Sequence, residues 1–133
     1  MIQTGIKGHL EITVTQDKTA KAMGSGELEV FATPAMISLI EETAWRSVSA
    51  LLEPGEGTVG TRIEISHTSA TPVGIRITCE TEVSVVDRRR IVFDVRVFDE
   101  FGKIGEGTHE RFIVQNDRFL QKADEKSINK KRS

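Results

Sequence analysis

Two periodicities divide the 133-residue chain. From Thr33 to Leu52, Ile37, Ile40, Ala44, Val48 and Leu51 recur at helical spacing, while Ser38, Glu42, Arg46, Ser49 and Glu53 form the opposite face. Pro34 suits the first helical position, with Thr33 ahead of it as N-cap, and Pro54 and Gly55 stop the helix. After Gly57 the period falls to two. Val59, Ile63, Ile65 and His67 are predicted on one face of a strand, with Arg62, Glu64 and Ser66 on the other. Ile75, Ile77, Cys79, Thr81, Val83 and Val85 alternate next, then Ile91, Phe93, Val95 and Val97 after a polar turn at Asp87 to Arg90. A second turn, Asp99 to Gly102, leads to a last strand from Lys103 to Val114.

Before the helix, Leu10, Ile12 and Val14 alternate as a strand within Gly5 to Gln16, and the polar, small-residue stretch Gln16 to Gly26 reads as a loop or lid. One strand, one helix and four strands joined by short connections imply an α+β fold: a curved antiparallel sheet packed around one central helix. The chain length suits one domain, taken as residues 1–120, with a charged tail at 121–133 expected to fray.

Glu41 breaks the helical pattern. It lies within the apolar stripe, whereas Glu42 does not. Burying an ionised carboxylate costs several kcal/mol in order of magnitude unless it is paired, so Glu41 needs either chemistry or a buried basic partner. His67 is the second anomaly, an imidazole on the helix side of its strand, serving as a hydrogen-bonded core residue or a catalyst. Thr33 is a plain N-cap or a third member of the group. Together the three supply a hydroxyl, a carboxylate and an imidazole, a set suited to general-base activation of a nucleophile. Arg111 shares a face with Gly105, Gly107 and His109, where it serves a strand salt bridge or binds an anion. Arg88, Arg89 and Arg90 form a basic hairpin tip, solvated or set to meet the phosphates of a nucleotide-bearing substrate.

Composition narrows the classes. A net charge of −2 and few aromatics argue against nucleic-acid binding. No apolar run reaches membrane-span length and no signal pattern opens the chain, so a cytoplasmic protein is expected. The single Cys79 suits a reducing compartment. His9, His67 and His109 lack metal-ligand spacing, and no glycine-rich phosphate loop or Gly-x-Ser-x-Gly elbow is present.

Four segments carry a resemblance: Val30-Phe31-Ala32-Thr33, Leu51 to Gly57, His67-Thr68-Ser69-Ala70-Thr71-Pro72 and Gly107-Thr108-His109-Glu110-Arg111. In these the chain resembles hotdog-fold thioesterases, in particular the fluoroacetyl-CoA thioesterase-like group. The resemblance implies a hotdog fold and Thr33, Glu41 and His67 as catalytic positions. It also implies Gly60 as a backbone donor to the acyl group or its carbonyl, and Arg111 near the acyl group. It further implies an acyl-CoA substrate, no cofactor beyond the coenzyme A of that substrate, and a homodimer, or a higher oligomer built from it, with sites near the subunit interface. Gly24 to Glu29 depart from the group, because they lack the phenylalanines that gate the acyl pocket of the fluoroacetate-specialised enzyme. The activity expected is hydrolysis of a short or modest acyl-CoA. The alternatives are a non-catalytic acyl-CoA-binding dimer and an enoyl-thioester hydratase.

Overall fold

The computed structural model describes the backbone of residues 1–132 and the side chains of residues 1–130. Strand β1 (Lys7–Thr13) is followed by a 3-10 turn at Gln16–Lys18 and a single helical turn, α1 (Ala20–Met23), which ends on Gly24 with φ 74°. The long helix α2 (Thr33–Ser49) precedes β2 (Glu56–His67), β3 (Arg76–Asp87), β4 (Arg90–Asp99), β5 (Gly102–Gln115) and a terminal helix, α3 (Asn116–Arg132). All strand pairs are antiparallel, in the order β1-β3-β4-β5-β2, so β1 and β2 are the edges. Helix α2 packs across β1, β3 and β2. Among the described residues, no helix is long and apolar enough to cross a membrane.

The buried arc of α2 comprises Ala35, Met36, Leu39, Ile40, Thr43, Ala44 and Val48. It meets Ile77, Cys79, Ile91, Phe93, Val95 and Val97 of the sheet in one core. This arc is turned toward β1 and β3 relative to the expected stripe: Ile37 is half-buried, and Leu51 lies past the helix end with 41% exposure. Glu41 therefore sits at the border of the arc, on the side of edge strand β2, where no further strand covers it. The N-cap is Ala32, and Thr33 is the first helical residue, so the expected cap role of Thr33 is corrected. Pro34 still occupies the first turn, where its missing N–H costs nothing.

Two bulges also revise the predicted faces. In β2 the register against β5 shifts between Gly60 and Arg62, making Thr61 an extra residue. One extra residue moves every later side chain to the other face. Thr58 and Gly60, rather than Val59, therefore share the helix side with Ile63, Ile65 and His67. In β3 the shift between Val83 and Val85 leaves Val85 40% exposed and packs Val86 against the core instead. Residues 121–130, read as a fraying tail, belong to α3 and are solvent-exposed.

Candidate active site

Freed from capping, the Thr33 hydroxyl meets His67 at the far end of β2, with Oγ1 2.8 Å from Nδ1. Thr33 is exposed and His67 half-buried, its ring edge-on to Phe31 at 6.2 Å between centroids. Burial lowers the His67 pKa below its ordinary value, and the Ser69 backbone partly offsets that. The imidazole is thus neutral near pH 7 and able to take a proton. Its Nε2 is buried and, among the described residues, no group meets it at full hydrogen-bond geometry, the Ser69 backbone acting on the ring only as a weaker neighbour, a costly arrangement unless a further group meets it. Thr33 and His67 open onto a cleft of about 250 Å³ shared with Ala20, Ser25, Val30 and Phe31.

Glu41 belongs to a second group. Its Oε2 accepts a hydrogen bond from Arg111 Nη1 at 3.3 Å, across an ion pair whose side chains are 7% (Arg111) and 44% (Glu41) exposed. Arg111 is the buried basic partner that Glu41 required. The guanidinium is held from the other side by Thr58, through Nε to Oγ1 at 2.8 Å and Nη2 to the carbonyl at 3.0 Å. Burial lowers the Arg111 pKa, and Glu41 opposes the shift by charge and hydrogen bond. Gly60 lies against the carboxylate: a Cβ there would stand 2.6 Å from Glu41 Oε2 and 3.3 Å from Arg111 Nη1. The bulge that brings Gly60 inward therefore also makes room for the acid. Glu41, Gly60, Thr61, Arg62, Ile63 and His109 line a cleft of about 280 Å³.

The structure thus joins Thr33 to His67, and Glu41 to Gly60 and Arg111. It does not join these groups within one chain. Eight helical residues separate Thr33 from Glu41, a rise of about 12 Å, and no hydrogen bond links the two groups among the described residues. His109, passed over for want of metal-ligand spacing, is a buried member of the second group, with Nε2 3.1 Å from Arg111 Nη1. The hairpin arginines are partly committed: Arg89 pairs with Glu56 at 3.5 Å and Arg90 with Glu110 at 2.5 Å, while Arg88 holds the turn with φ 60°. Among the described residues, no group of three or more His, Cys, Asp or Glu side chains is placed to hold a metal ion.

This sheet-and-helix arrangement is the hotdog fold. It superposes on a hot-dog-like protein from Thermanaerovibrio acidaminovorans with TM-score 0.84 at 22% identity, covering 92% of this chain and 91% of that one. Residues 14–117 match the family model described as fluoroacetyl-CoA-specific thioesterase, and the chain belongs to that family. The fluoroacetyl-CoA thioesterase of Streptantibioticus cattleyicolor is 41% identical over 99 residues, covering 74% of this chain and 71% of that protein. A solved variant of the fluoroacetyl-CoA-specific thioesterase FlK, in complex with fluoroacetate and CoA, superposes with TM-score 0.85 at 35% identity, covering 89% and 99% of the two chains.

Proposed function

We propose that this protein hydrolyses a short or modest acyl-CoA to the free acid and CoA, working as a cytoplasmic homodimer. The observation that carries the reading is the 2.8 Å contact between the Thr33 hydroxyl and the His67 imidazole, at a helix start beside an open cleft. The membership of the chain in a thioesterase family supports the same chemistry. Glu41, oriented by Arg111, activates water or attacks the thioester carbonyl. A backbone N–H at Gly60 receives the negative charge that develops on the carbonyl oxygen. The proton that reaches the CoA sulfur is the one the attacking water loses: the neutral His67 imidazole takes it up and passes it on as the C–S bond breaks, so the ring ends as it began.

Dimerisation supplies what one chain lacks. Strand β2 is a twelve-residue edge that, among the described residues, pairs with β5 on one side and with no strand on the other, the kind of edge that pairs with a second copy. Two β2 strands pairing antiparallel about a two-fold axis would set the Gly60 end of one alongside the His67 end of its mate. The Thr33–His67 group of one chain would then face the Glu41–Gly60–Arg111 group of the other. A thiol-release assay over a panel of acyl-CoAs tests the reading beside Glu41→Gln and Thr33→Ala. Release should fall by about 100-fold or more for Glu41→Gln. Tight binding of an acyl-CoA without release would make the protein a binding module. An unaltered rate in Glu41→Gln would remove Glu41 from the chemistry.

A further inference from the structure

His109 is 2% exposed on β5, stacked on Phe93 of β4 with ring centroids 6.2 Å apart and planes 27° apart. Both ring nitrogens are committed. Nδ1 lies 2.8 Å from the Arg62 carbonyl at the β2 bulge, and a carbonyl only accepts, so Nδ1 carries the proton. Nε2 lies 3.1 Å from Arg111 Nη1, and a guanidinium only donates, so Nε2 presents its lone pair. Two independent bonds select one neutral tautomer. Arg111 is then gripped by Thr58 through Nε and Nη2 and by His109 at Nη1, the same nitrogen that reaches Glu41.

We propose that His109 is a positioning residue: its Nδ1-protonated ring fixes the Arg111 guanidinium so that Nη1 holds the Glu41 carboxylate beside Gly60. This rests on Glu41 acting as proposed above, but the placement of Arg111 can be read without any activity. A second proton on the ring would set an N–H against the N–H of Arg111. Burial is the main cause keeping the His109 pKa low. The charge of Arg111 on β5 lowers it further, while the Arg62 carbonyl on β2, Glu41 on α2 and Glu110 on β5 oppose the shift. Strand β4 contributes the apolar ring of Phe93.

The test pairs two isosteric variants. Asn places an amide donor near the Nδ1 position and keeps the tie to Arg62, whereas Gln places a carbonyl near the Nε2 position and keeps an acceptor for Arg111. His109→Gln should retain kcat within about threefold, and His109→Asn should lose about 10- to 100-fold in kcat with little change in KM and a similar melting temperature. Nitrogen-15 NMR of the parent protein should show His109 as the Nδ1–H tautomer near neutral pH. The Arg111 Nη1 protons, which face His109 Nε2, should be protected from exchange in the parent and in His109→Gln, and lose that protection in His109→Asn. Equal losses of kcat and melting temperature in both variants would make His109 an ordinary core residue and overturn the inference, as would an Nε2–H tautomer or an unchanged kcat in His109→Asn. If no acyl-CoA is hydrolysed by the parent, the functional reading fails, and Arg111 proton exchange still decides whether His109 positions it.

Discussion

At the scale of single residues, Gly60 is the floor on which the Glu41 carboxylate rests. A methyl group at position 60 would stand 2.6 Å from Glu41 Oε2 and 3.2 Å from His109 Cε1, well inside contact distance. The carboxylate is the easier to move, since its side chain is 44% exposed whereas His109 is clamped at both nitrogens. Gly60→Ala should therefore push the acid away from Arg111 and lower kcat by about 10- to 100-fold, the order expected of a misplacement near 1 Å. Its melting temperature should stay close to that of the parent, and an unchanged kcat would show that Glu41 has no fixed position in the reaction. Residue types were readable from sequence at this scale, but their partners were not. Glu41 stood out as an acid in an apolar stripe. Thr33 looked like a cap because Pro34 follows it, yet its hydroxyl bonds an imidazole 34 residues away. That choice is tertiary, and no local pattern encodes it. His109 had a signal, its two-residue offset from Arg111 on one strand face, whose weight appeared only with the β2 bulge beside it.

At the scale of elements, period-two alternation located the four C-terminal strands and period 3.6 the long helix, but neither could place a bulge. Thr61 and Ser84 are each one extra residue. Each resets the faces downstream, so the site-bearing face of β2 runs through Thr58 and Gly60 instead of Val59. Helix α2 was readable in extent and rotated in register, because its burial is decided by which strands it crosses. The close approach of β5 to β2 gives this scale its own test. A Cβ at Gly107 would lie 2.0 Å from the Glu64 carbonyl oxygen and 2.7 Å from Ile65 Cα, both backbone atoms of the facing strand. Neither can yield without parting the two strands, so Gly107→Ala should destabilise the fold by about 1–3 kcal/mol or more. Urea denaturation should show this as a lower midpoint. An unchanged midpoint would mean that β2 can shift along its whole length, and the Gly60 bulge could then not hold the site in place.

At the scale of the whole molecule, one chain carries two groups of candidate site residues about 12 Å apart along a helix, and the proposed hydrolysis draws on both. The Thr33–His67 half has a proton acceptor and a hydroxyl without an acid. The Glu41–Gly60–Arg111 half has an oriented acid without a proton relay to the leaving sulfur. If the halves are completed across a two-fold axis, defects in different halves should complement. Thr33→Ala and Glu41→Gln chains, each inactive alone, would be unfolded together and refolded as a mixture. Half of the dimers would then be mixed, and each mixed dimer would contain one intact site and one doubly defective site. The mixture should recover about a quarter of the parent activity, the fraction set by random pairing of two chains in a symmetric dimer. If every site drew all its residues from one chain, each site in the mixture would carry a defect, and the mixture would be no more active than its components. The proposed β2 pairing makes the first outcome the expected one, because an antiparallel edge would bring opposite ends of the same strand together and the two groups lie toward opposite ends of β2.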